Sequence, residues 1–254
     1  MPKLNEKIKD VRLVEVLILI ILSFLALSFL KLVSVFVDYN WVYILLIFYF
    51  VYKLRACGQD FKLSAIRIFE DVSFKTILGI VIANIFFSYG MLYLTNFLLS
   101  IPLFNSILNL SFAHKVSWVL VGGLLSKLII APISEELLFR GLFLNKLRLI
   151  VPLSFAIIIS SFLFGAFHSL GSIISAIVFA CCMCILYLKT NNILVPIFAH
   201  FLNNFLAEII FTLDASKAMF RNDLVVGCVS VLAIVSLFLI IRYISKQLNS
   251  IKYC

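Results

Sequence analysis

Residues 131–140 read APISEELLFR and stand inside an otherwise apolar run. Two adjacent carboxylates, Glu135 and Glu136, therefore fall where their neighbours would bury them in a membrane. An ionisable side chain at bilayer depth costs several kcal/mol unless it is paired or faces a wet cavity. Arg140 stands four residues after Glu136, on the same face of a helix, and offers Glu136 an ion pair. Glu135 is turned away by about 100° and needs a different partner. Two readings follow: Glu135 does chemistry, or the whole group is a structural knot holding helices together. The segment alone leaves both open, and we take the first as the expectation.

Working outward, the chain has 254 residues, of which 64% are hydrophobic and only 13% charged. Its mean hydropathy is +1.17. Soluble domains are about half apolar and a quarter charged, so this composition specifies an all-α, polytopic integral membrane bundle. No polar stretch is long enough to fold separately, and residues 1–254 read as a single integral domain. The net charge of +9 does not imply nucleic acid. The basic residues sit in short segments beside apolar spans, where the positive-inside rule puts them. The six cysteines show no metal or disulfide spacing. Cys181, Cys182, Cys184 and Cys228 read as small core residues, and Cys57 and Cys254 as free thiols in basic stretches. The C-terminal KYC is no prenylation signal, which needs its cysteine four from the end.

In chain order, Lys3, Lys7, Lys9 and Arg12 precede an apolar run too long for a cleaved signal peptide, so the first span is retained with the N-terminus inside. Spans are expected over about residues 13–37, 41–52, 77–99, 118–147, 152–168, 172–188, 193–213 and 224–243, about eight in all. Residues 53–75 form the longest charged loop, with a short interfacial helix possible around Leu63, Ile66, Phe69 and Phe74. Residues 101–117 form another loop, where His114 reads as solvated. Pro132 is expected to kink the fourth span just before the Glu pair, and Pro196 to loosen the seventh. Eight spans place both termini on one side. Most Lys and Arg then lie inside, against Lys31, Lys115, Lys217 and Arg221 outside, which makes both termini cytoplasmic.

The polar residues at membrane depth make a short list beyond the Glu pair and Arg140: Lys127, His168, His200, Asn203, Asn204 and Glu208. His168 ends FLFGAFH, with Phe164 four residues earlier and small Gly165 and Ala166 between, which lets another backbone approach closely. A lone histidine on an apolar helix is more often a packing residue than a catalyst. His200 and Asn204 in HFLNN share one helical face and can donate toward one point. Asn203, offset by about 100°, reads as a helix–helix contact. A carboxylate and an imidazole can share a water and strip its proton for attack on a carbonyl. Donors opposite would stabilise the oxyanion. Glu135 with His168 suits the first role, His200 with Asn204 the second. Ser134 and Ser169 stand beside these groups as alternative nucleophiles. The set Glu135, His168 and His200 could instead hold Zn²⁺ with a water, although HExxH is absent.

These residues carry a family resemblance. EELLFR fits an EExxxR pattern, FGAFH fits FxxxH, and HFLNN fits HxxxN, in that order and over about residues 118–210. The chain resembles the intramembrane endopeptidases of the CAAX-protease and bacteriocin-processing family, also called Abi. The resemblance implies an eight-helix protease in which Glu135 and His168 activate water, His200 and Asn204 form the oxyanion hole, and Glu136 and Arg140 support the site. Family naming calls these metalloproteases, but activation of water by glutamate needs no metal, and we expect no cofactor, with zinc as the alternative. The implied substrate is a membrane-embedded peptide or protein. Abundant Phe, Ile, Lys and Asn fit a bacterial cell membrane and a role in peptide processing or bacteriocin self-immunity. The same charges would also serve a proton-coupled transporter, and a regulatory scaffold would need none of them. The pair His200–Asn204 favours the protease, since a relay has no use for it.

One tension remains at this stage. At 1.5 Å per residue, Glu135 lies about 26 Å from residue 118, and His168 about 24 Å from the opposite end of its own span. On these boundaries the two would not meet.

Overall fold

The structure, a computed structural model, describes residues 3–32, 40–101, 123–214 and 218–252. Among them every regular element is helical, as the composition requires. A short α1 (Lys3–Asp10) leads into α2 (Leu13–Leu32), α3 (Asn40–Leu54), α4 (Gly58–Ile66) and α5 (Phe74–Ser100). One continuous helix over residues 123–147, here α6, is followed by α7 (Leu153–Ala166), α8 (Ile173–Thr190) and α9 (Leu194–Leu213). The short α10 (Ala218–Arg221) and long α11 (Asp223–Lys252) complete the described chain.

Among the described residues six helices are long and apolar enough to cross a membrane: Leu13–Leu32, Asn40–Ile66, Phe74–Ser100, Leu170–Thr190, Leu194–Leu213 and Asp223–Ser250. The expected boundaries shift in two places. The second span is not confined to residues 41–52, because α4 continues it through the turn Arg55–Cys57. The last runs nine residues past the expected 243. The loop over residues 102–117, with His114, and the expected start of the fourth span at 118 lie outside the described residues, as does Cys254.

Large apolar side chains on α2 and α11, among them Ile18, Leu22, Phe29, Val231, Ile234 and Phe238, are exposed. In water such surfaces would associate; in a bilayer they face solvent of their own kind. The interior lies around α8, the most enclosed of the spans. Cys182 and Cys184 are wholly buried there as small core side chains. Close contact is set by glycine: a Cβ on Gly90 would stand 2.5 Å from Cβ of Ala233 on α11, and one on Gly165 would stand 3.0 Å from the carbonyl of Ile173.

Two features of the polar end of the bundle are not legible in the sequence. The helix α1 is no free basic tail: Leu4, Asn5 and Ile8 are buried. The Asn5 amide donates to the Asn191 carbonyl, and its oxygen accepts from the Ile193 N–H at 3.3 Å. Lys146 Nζ donates to the Lys9 carbonyl at 2.6 Å. Cys57 is likewise buried, not an open thiol. Asn191 closes α8 in the left-handed region with φ 44°, a conformation asparagine tolerates better than most residues.

Two of these helices position the site. The helix over 123–147 widens to π-helical turns over Ser126–Ile130 and Leu137–Leu144, with α-helical Ala131–Glu136 between. Pro132 is the reason for the first widening. It has no N–H to give, and its ring clashes with a carbonyl four residues back. The Ala131 N–H donates five residues back, to the Ser126 carbonyl. In that register the Lys127 carbonyl would receive the N–H of residue 132, which proline lacks. The kink expected at Pro132 is thus a change of hydrogen-bond register, a feature found often at functional sites. Pro196, by contrast, does not loosen α9. It lies at the third residue of that helix, where no intrahelical donor is required.

The helix α7 is only 14 residues long, about 21 Å, too short to cross a 30 Å core. It stops at membrane depth and leaves His168 just past its end. Counted from the turn that joins α6 to α7, Glu135 lies about 18 Å deep and His168 about 22 Å. The apparent conflict of depths came from measuring Glu135 from the expected start at residue 118 and not from the turn that follows α6.

Candidate functional site

Glu136 and Arg140 are wholly buried, with Arg140 Nη1 3.1 Å from Glu136 Oε1. The same oxygen accepts from His200 Nδ1 at 2.8 Å. Arg140 also lies over the ring of Phe164, its Cζ 4.6 Å from the centroid. Phe164 is the apolar hub: its ring is 4.7 Å from that of His168 and 5.8 Å from that of His200. The planar guanidinium thus rests on an aromatic face with one carboxylate as counter-charge.

Hydrogen bonding fixes the tautomers. A carboxylate only accepts, so His200 carries its proton at Nδ1 and turns Nε2 toward Glu135, 3.8 Å from Oε2. His168 Nδ1 lies 3.0 Å from the Phe164 carbonyl, which also only accepts, so Nδ1 bears hydrogen and Nε2 has the lone pair in the neutral ring. The FxxxH spacing has a local purpose here: the helix ends at Ala166, and the histidine folds back to satisfy the carbonyl four residues earlier.

Glu135 Oε1 accepts from the Tyr43 hydroxyl at 2.9 Å. Ser134 Oγ donates to the Tyr43 carbonyl at 3.0 Å and to the Ile130 carbonyl at 2.9 Å. The single hydroxyl proton is shared between two carbonyls, which makes Ser134 a brace between α6 and α3. Ser169 Oγ is 2.7 Å from Ser172 Oγ on an exposed turn.

Glu135, His168 and Tyr43 line one cavity, walled by Ile20 and Phe24 of α2, Val42 and Leu46 of α3, and Leu138, Phe139, Phe164 and Phe167. About 80 Å³ of it admits the centre of a water-sized sphere. One water needs about 10–15 Å³ on that measure and two or more polar partners, so the cavity can hold water at its polar end. His200 and Asn204 are not among its walls. His200 meets Glu135 from behind, and Asn204 lies one turn further along α9.

Asn204 Nδ2 donates to the Lys127 carbonyl at 3.0 Å. This is the carbonyl that Pro132 leaves without a helical partner. An amide has two N–H donors, so one remains for other use. Asn203 reaches across to α5, where its oxygen accepts from Asn84 at 3.0 Å, a helix–helix contact as its offset predicts. Lys127 pairs with Glu208, so both of these membrane-depth charges are answered.

Sequence reasoning finds the motif residues but not Tyr43. A tyrosine near the start of an apolar span reads as one of the interfacial aromatics common there, and no local spacing ties it to Glu135. The link of Glu136 to His200 is missed for the same reason: it joins residues 64 apart.

The fold and site define a class: a multi-pass helical membrane protein with carboxylates and imidazoles gathered around a cavity between its spans. Residues 116–206 match the family model described as Rce1-like, type II CAAX prenyl endopeptidase Rce1-like. The match contains all three motifs and bears out the resemblance drawn from them. It leaves out α2, α3, α5 and α11. No curated protein and no solved structure matches the chain.

Proposed function

We propose that this protein is an intramembrane endopeptidase in which Glu135, assisted by His168, activates a water in the cavity. The observation that supports it is that these two residues, from different helices and different motifs, line the same cavity. Glu135 takes a proton from water as the oxygen attacks the scissile carbonyl carbon, and the carbonyl electrons move onto oxygen. The resemblance assigns that oxyanion to His200 and Asn204, which requires the scissile carbonyl to reach past the cavity walls to them; donation from His200 Nε2 requires the ring to carry both protons. Collapse of the intermediate re-forms the carbonyl, breaks the C–N bond and returns the proton to the leaving amine. Glu136 orients His200, and Arg140 balances the charge of Glu136.

The reading needs no metal. Among the described residues no group of three or more His, Cys, Asp or Glu side chains is placed to hold a metal ion. Were zinc bound, Glu135, His168 and His200 would be its ligands and it would supply a polarised water.

The substrate we propose is a membrane-embedded peptide or protein, entering along the apolar walls, in bacterial peptide processing or bacteriocin self-immunity. The cell membrane is its site, with both termini cytoplasmic. Peptide mass mapping of membranes from cells with the wild-type protein, compared with Glu135→Gln, tests the reading. Fragments present only with the wild type support it. Identical profiles would return the protein to the transporter or scaffold classes.

A further inference from the structure

We propose that Tyr43 is the positioning residue of Glu135, so that the site is completed by α3, outside the segment that matches the family. The inference rests on Glu135 acting as the base. The Tyr43 hydroxyl donates to Glu135 Oε1 at 2.9 Å. Ser134 donates to the Tyr43 carbonyl at 3.0 Å, so one tyrosine is tied twice to consecutive residues of α6. A carboxylate has two equivalent oxygens and a freely turning terminal torsion. Occupying Oε1 breaks that equivalence and leaves Oε2 as the oxygen directed to His200 Nε2. The charged and titratable groups around this carboxylate are Tyr43 from α3, His168 past α7, His200 from α9, and Glu136 and Arg140 on its own helix.

Tyr43 and Ser134 separate position from structure. Tyr43→Phe removes the hydroxyl but keeps the ring and the backbone carbonyl that Ser134 uses. Ser134→Ala removes the brace but keeps the phenol. Infrared spectroscopy of the protein in lipid nanodiscs, with Glu135→Gln to assign the bands, reads the carboxylate directly. A hydrogen bond to one oxygen makes the two C–O bonds unequal and widens the gap between the symmetric and antisymmetric stretches. Tyr43→Phe should narrow that gap for Glu135, and Ser134→Ala should leave it wide. An unchanged Glu135 band in Tyr43→Phe overturns the proposal.

Cleavage of a farnesylated peptide ending in a CAAX tetrapeptide supplies the second readout. Tyr43→Phe should lower kcat by about 10–100-fold with KM unchanged, as for a lost orienting contact. A kcat equal to wild type overturns the positioning role. A wild-type enzyme that leaves this peptide intact counts against a prenylated substrate and not against a membrane-embedded peptide, and the infrared comparison still decides Tyr43.

Discussion

Glu136 Oε1 receives His200 Nδ1 at 2.8 Å and Arg140 Nη1 at 3.1 Å, so a single oxygen joins the first motif to the third. The i,i+4 pair that the sequence offers is half of this arrangement. The other half carries the fixed charge of Arg140 through to an imidazole that faces Glu135. The two glutamates, adjacent in sequence, therefore have different roles. Glu136 is wholly buried, its Oε1 held by His200 and Arg140, whereas Glu135 opens on a cavity.

That difference predicts a division of labour. Glu135→Gln should remove cleavage, by at least the about 10²–10⁴-fold that a general base contributes, while folded yield stays near wild type. Glu136→Gln should cost about 3–5 kcal/mol, because it leaves Arg140 charged and buried without its partner. Thermal unfolding in detergent and turnover per folded molecule separate the two effects. Full activity in Glu135→Gln would sink the assignment.

The proline and the asparagine should be coupled. Asn204→Ala exposes the Lys127 carbonyl without a donor, at about 1–3 kcal/mol. In a Pro132→Ala background the helix regains an N–H at residue 132, so the same change should cost less. A double-mutant cycle of unfolding free energies measures this, and additive costs would show that Pro132 is not what frees the carbonyl.

Asn204 also separates the oxyanion reading from the metal reading. Loss of one oxyanion donor typically costs about 10²–10³ in kcat, and Asn204→Ala should show that loss per folded molecule, with KM little changed. Chelators should leave the purified enzyme unaffected. Metal at one per chain, lost with activity on chelation and restored with it, would overturn the metal-free mechanism and keep the protease.

Gly165 sets how closely α8 approaches the end of α7. A Cβ there would stand 2.4 Å from Ile177 Cγ1 as well as near the Ile173 carbonyl. Gly165→Val should destabilise by about 1–3 kcal/mol through overpacking and shift the His168 ring on Phe164. Unfolding temperature and turnover, measured together, should both fall.

Orientation is testable with introduced thiols, since Cys57 is buried and cannot report. Lys62 and Arg221 are exposed, in the charged segment before α5 and in α10. With an impermeant thiol reagent, Arg221→Cys should label in intact cells and Lys62→Cys only after permeabilisation. Labelling of Lys62→Cys in intact cells with Arg221→Cys silent would reverse the inside assignment.

The membrane-spanning helical class was settled by the sequence alone, because 64% apolar residues in long runs have no soluble solution. The motif residues were equally legible, because a charge in an apolar run is conspicuous by its cost. The Glu136–Arg140 pair followed from the helical period, which acts over four residues. Depth, partners and completeness of the site were decided only by tertiary structure. Helix α7 ends early, a register change at Pro132 frees a carbonyl for Asn204, and Tyr43 arrives from a helix 92 residues away in sequence. Spacing along one helix reports which side chains share a face. Which helix lies opposite depends on packing of small residues such as Gly165, and that is settled only when the spans assemble.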